Sequence, residues 1–175
     1  MGEIKSTLDL VMERTSHLSM TPEEKARQRE ADFEKRLQGL LQQYADEKLG
    51  LQELLKSIGN LQAETGIQDA RQVLGMVCKR VEPDEDAQAW IALLDSLAPQ
   101  VTGTLENRLA SYRNEKEGLL RSGAQQMRDR LAHDHAIHGS AVLPAPEQDE
   151  ACRLELRTLR EKTLAQIAAL CTQGS

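Results

Sequence analysis

The chain is 175 residues long, 39% hydrophobic and 29% charged, with one Phe, one Trp and two Tyr and a formal net charge of −6 at pH 7. Close to half of its residues are Ala, Glu, Lys, Leu or Arg, a composition of long helices. It excludes sandwiches, barrels and alternating α/β folds, whose pleated faces need β-branched and aromatic side chains, and the acidic balance removes the positive field that draws a chain to nucleic acid or anionic lipid.

Residues 3–18 place Ile4, Leu8, Val11 and Leu18 on one face at helical spacing, predicting a short N-terminal helix within 1–20. Thr21-Pro22-Glu23-Glu24 then carries three start signals: Thr21 to cap, Pro22 at the first helical position, and Glu24 to complete a capping box. From there a seam runs through Phe33, Leu37, Leu40/Leu41, Tyr44, Leu51, Leu54/Leu55, Ile58 and Leu61, interrupted at Glu47/Lys48. Its steps of three and four predict one helix over 22–64, with a break near Gly59-Asn60 as the alternative and Gly66 as the stop.

Two short helices, 67–81 and 84–97, are expected next, separated at Glu82-Pro83. Asp84-Glu85-Asp86 reads as negative charge at a helix N-terminus, and Trp90 reads as core beside Ile91, Leu94 and Leu97. A second long helix, 104–137, carries Leu105, Leu109, Tyr112, Lys116, Leu119/Leu120, Gly123, Met127 and Leu131, with Gly139 stopping it. The Pro/Gly-rich stretch 138–148 is a loop, and the last helix, 149–171, offers Cys152, Leu156, Leu159, Thr163, Ile167 and Leu170.

Laid antiparallel, the two long seams match in period, with Glu47 opposite Lys116. A pair there would fix the register, because a heptad slip leaves buried charge unmatched. The expected fold is thus an all-α, elongated antiparallel bundle or coiled coil, with residues 21–175 as one domain and the 67–98 hairpin inserted in it. A thin apolar core makes homodimerisation the natural way to cover seams that one chain leaves exposed.

Chemistry-bearing motifs are sparse. Asp134, His135 and His138 can share a helix face with metal-ligand spacing, His133 lying on another face; imidazoles at a helix C-terminus also serve the dipole and the terminal carbonyls. There is no Glu-x-x-His, no phosphate-cradling glycine loop, no HExxH, no GxSxG and no EF-hand loop. Neither an enzyme activity nor a cofactor is expected. Cys78, Cys152 and Cys171 are widely spaced, without a CxxC, and read as free buried thiols in a cytoplasmic protein.

The opening residues Glu3-Ile4-Lys5-Ser6-Thr7-Leu8-Asp9-Leu10-Val11-Met12-Glu13-Arg14-Thr15, followed by Thr21-Pro22-Glu23-Glu24-Lys25, resemble the start of an uncharacterised family of small all-helical bacterial proteins. The resemblance covers roughly the first 25 residues and implies no activity. In architecture alone the chain is also similar to flagellar and secretion export chaperones of the long-helix kind, which implies a helical client. The expected function is therefore a non-catalytic interaction or scaffold protein; the alternatives are an export-chaperone-like binder and a metal-binding protein using the His133–His138 cluster.

Overall fold

The computed structural model describes residues 21–137 and 143–173, with side chains as far as Leu170. All regular structure among them is helical: α1 (Pro22–Ala45), α2 (Leu51–Thr65), α3 (Ala70–Cys78), α4 (Gln88–Leu97), α5 (Pro99–His135) and α6 (Glu150–Gln173), with a 3-10 turn at Pro146–Gln148. None of these helices is long and apolar enough to cross a membrane. The chain divides into two compact units, Met1–Gln68 and Asp69–Ser175, where one domain over 21–175 was expected. The helix expected at 3–18 lies outside the described residues.

In the first unit, Thr21 and Glu24 form the anticipated reciprocal cap: the Glu24 N–H donates to Thr21 Oγ1 at 3.2 Å, and the Thr21 N–H donates to Glu24 Oε2 at 2.8 Å. The continuous helix 22–64 does not exist. α1 ends at Ala45, Glu47 turns the chain with a left-handed φ of 58°, and Gly50 starts α2 with its N–H donating to Glu53 Oε2 at 3.4 Å. Helices α1 and α2 therefore pack on each other, and the seam closes on itself. Phe33, Leu37 and Leu41 of α1, and Leu54, Ile58 and Leu61 of α2, are all buried. Arg36 and Glu64 pair across the hairpin at 2.7 Å, both more than half exposed, so the pair contributes little beside the burial. Gly59 lies undisturbed inside α2, while Gly66, at φ 72°, ends the helix as expected.

In the second unit, α3 packs on α6 and on α4, α4 on α5, and α5 on α6. The core gathers Val73, Leu74 and Val77 of α3, Leu93 and Leu94 of α4, Leu105 and Leu109 of α5, and Ile167 of α6. Leu93, outside the expected stripe of α4, is fully buried, while Trp90 and Leu97 within that stripe are only half-buried. α5 begins at Pro99, five residues before its expected start. Ala98 closes α4 by donating its N–H to the Leu94 carbonyl and opens α5 by accepting from the Val101 N–H at 3.0 Å. The far end of α5 stops at His135 rather than Gly139. Ala136 takes a left-handed φ of 52°, and the Ile137 N–H donates to the Leu131 carbonyl at 3.1 Å.

Besides α4, α5 packs on α6 inside its unit. At Gly123 the backbone of α5 comes close to both α6 and the turn before it: a methyl group built there would lie 3.0 Å from Pro146 Cβ and 3.2 Å from Cys152 Sγ. A side chain there would push α6 and the turn before it away, so the position requires glycine for space. Asp149 caps α6, its Oδ2 accepting from the Cys152 N–H at 3.1 Å, and Arg130 of α5 reaches the same carboxylate at 3.4 Å.

Candidate functional site

The densest polar constellation among the described residues joins the loop after α3 to α5 and α6. Asp84 sits in that loop, not at the start of a helix; it is Asp86 that accepts the Gln88 N–H, at 3.0 Å, and takes the capping role expected of the whole acidic run. The freed Asp84 carboxylate receives two donors from α5 on one oxygen: Tyr112 Oη at 2.7 Å and Lys116 Nζ at 2.6 Å. Its other oxygen lies 3.5 Å from Arg160 Nε of α6, whose Nη2 donates to Glu82 at 2.5 Å. Buried Val81 and Pro83 flank Glu82, so apolar packing holds the loop in place for these contacts.

The electrostatics follow from this geometry. Burial pushes the Asp84 carboxyl upward, but the hydrogen bonds from Lys116 and Tyr112 and the charges of Lys116 and Arg160 outweigh it and hold the group below its ordinary value. Burial, with the hydrogen bond to Asp84 and the charge of that carboxylate, pushes the Tyr112 phenol up to about 12. Glu82, by its hydrogen bond and its charge, keeps Arg160 more firmly protonated than usual. A phenol held neutral and a carboxylate held ionised, each facing an already satisfied partner, do not exchange protons near neutral pH. The arrangement works as a fastener between three elements.

Lys116 was singled out from the sequence, but its ammonium serves Asp84, and Glu47 stands in the turn after α1. The helix expected to carry Glu47 ends at Ala45, so Glu47 holds no position on a helical seam. Asp134 and His135 are exposed at the end of α5, His133 is exposed on the same last turn, and His138 lies outside the described residues. No group of three metal-ligating side chains gathers among the described residues. The reading of three free thiols is corrected: Cys78 is disulfide-bonded, and Cys152 is a free buried thiol. Burial, reinforced by the charges of Glu155, Asp149 and Glu147, pushes the Cys152 thiol up, which disfavours the reactive thiolate.

The cavities offer little room. One of about 30 Å³ lies between α5 and α6 beside Gly123, Met127 and Cys152, and another of about 30 Å³ lies beside Tyr112, Arg108 and Lys162. Each has space on the scale of a water molecule or two. An open groove of about 380 Å³ runs along the α1–α2 hairpin past Gly39, Leu40, Gln43, Ser57 and Asn60. No family model, curated protein or solved structure matches the chain.

Proposed function

We propose that the chain is a non-catalytic helical interaction and scaffold protein that associates with itself. The supporting observation is the uneven burial of one helix. Leu105, Leu109 and Tyr112 of α5 are at most 3% exposed, whereas Leu119, Leu120, Ala124, Met127 and Leu131 further along are only half-buried. The apolar row thus continues beyond Tyr112 after its burial has thinned. Half-buried Leu and Met side chains in a row gain transfer free energy from any apolar surface that completes their cover, roughly 25 cal/mol per Å². A second copy brings such a surface with twofold symmetry.

The experiment is size-exclusion chromatography with light scattering at high micromolar concentration. A dimer mass is expected, and Met127→Glu with Leu131→Glu should return the monomer with helical circular dichroism retained. A strict monomer for the unaltered chain, or a dimer that survives both substitutions, overturns the reading.

A further inference from the structure

The Asp84 carboxylate meets Lys116 of α5 at 2.6 Å and Arg160 of α6 at 3.5 Å, so both cations point to one side of the α5–α6 pair, and the loop bridges the groove between them. Residues four apart share a helix face. Leu120, one turn beyond Lys116, and Leu156, one turn before Arg160, therefore lie on that same side. Gly123 of α5 lies against Cys152 of α6, so the two helices run antiparallel and Leu120 and Leu156 stand at similar levels, just past the bridging loop. From Leu120 the apolar row of α5 runs on through Ala124, Met127 and Leu131, and these four side chains and Leu156 are all half-buried. The opposite side of the pair is polar: Ser111, Glu115 and Ser122 of α5 and Glu155 and Lys162 of α6 line the small cavities there. The apolar surface is thus a groove with a wall from each helix.

Stable interfaces bury roughly 800 Å² per partner. A stripe from Leu120 to Leu131 on one helix is about 17 Å long and about 10 Å wide, too small to hold a second copy by itself. A helix seated in the groove touches α5 and α6 together and roughly doubles that contact. We propose that the second copy seats its own α5 in this groove, along Leu120, Ala124, Met127 and Leu131 and against Leu156, with the twofold axis returning the same contact and the four helices forming one bundle. The proposal rests on the self-association put forward above and assigns the surface that carries it. The loop at Asp84 closes one end of the groove, so it stops the partner helix near Lys116 and limits how far the two copies slide past each other. Leu156 belongs to the interface although it stands on α6. Leu154, 64% exposed, stays outside it, because two residues of helix turn it about 200° away.

The test measures the dimer dissociation constant of the full chain by light scattering over a concentration series. Leu156→Glu places a charge in the groove and should raise the constant at least about tenfold with helical circular dichroism retained. Leu154→Glu alters the more exposed leucine on the other face of α6 and should leave the constant within about twofold. A chain that dimerises, dissociates with Met127→Glu and Leu131→Glu, and is indifferent to Leu156→Glu overturns the groove while the self-association reading stands. Equal loss in Leu154→Glu and Leu156→Glu also overturns the groove. A chain that is monomeric throughout overturns both. Should Leu156→Glu fail to fold, Leu156→Ala decides: the constant should rise at least about threefold, and an unchanged constant overturns the proposal.

Discussion

Tyr112 on α5 donates its phenolic hydrogen to Asp84, 28 residues earlier in the chain, at 2.7 Å, and this bond joins a loop to a helix it does not follow in sequence. Lys116, one turn further along α5, reaches the same oxygen at 2.6 Å, so the carboxylate is fixed from two points on one helix face.

Tyr112→Phe keeps the ring in the core and removes only the hydroxyl. The Asp84 oxygen retains Lys116 and Arg160, so the loss should be about 1 kcal/mol, measured by urea unfolding. The bond also leaves a mark at alkaline pH. The Tyr112 pKa is raised from 10.0 to about 12, so its contribution to stability is complete below pH 10 and is lost as the pH rises through the folded value. Absorbance titration should show the Tyr112 phenolate appearing near pH 12, with stability falling between 10 and 12 in the unaltered chain and less steeply in Tyr112→Phe. Asp84 acts in the opposite direction: its lowered pKa supplies stability above the ordinary carboxylate value of 3.8, lost as the pH falls below that.

Two glycines in helix interiors should respond to alanine with opposite signs. Gly59→Ala meets nothing within 4 Å and should gain up to about 1 kcal/mol from helix propensity. Gly123→Ala gains the same propensity but drives its methyl against Pro146 at 3.0 Å and Cys152 at 3.2 Å. Overpacking of about 1–3 kcal/mol should leave it less stable than the unaltered chain. Parallel thermal melts check the pair.

Ala136 and Glu47 hold φ values of 52° and 58°, a region where a Cβ costs roughly 1–2 kcal/mol. Ala136→Gly and Glu47→Gly relieve that cost but free the unfolded chain, so each should stabilise by about 0.5–1 kcal/mol. Denaturant midpoints that fall in both variants would contradict the assigned turns.

Thr102 is buried on α5 with no hydrogen-bond partner for its hydroxyl, whereas buried Thr163 on α6 donates to the Leu159 carbonyl at 2.9 Å. Thr102→Val replaces an unsatisfied hydroxyl with a methyl of similar shape and should raise stability by about 1 kcal/mol. Thr163→Val loses a made bond and should be neutral to destabilising. Calorimetry of the two variants distinguishes the cases.

The helical class, the Thr21 and Glu24 cap and the Gly66 stop were legible because each depends on neighbours within a turn or two. The break between Ala45 and Gly50 was not, because the apolar rhythm resumes in phase after it and no proline marks it. Gly50 followed three residues later by Glu53 was the available signal, outvoted by the seam. Partner choice was beyond the pattern altogether: a seam of steps three and four fits any other of the same period, so nothing local told α1 to take α2 or α5 to take α6. For the site, Asp84 was read as helix-end charge because the cap belongs to Asp86 two residues later, and only the path of the loop decides between them.

Ala98 caps the end of α4 and opens α5, which begins at Pro99, so this one residue is the whole link and nothing beside it absorbs a change of length. One residue inserted there would rotate all of α5 by about 100° against α4. Leu105, Leu109 and Tyr112 would turn out of the core together, and Asp84 would lose its two donors in the same event. The length of this corner is thus part of its information: substitutions along α4 and α5 can be tolerated one at a time, but an insertion or deletion at the corner cannot.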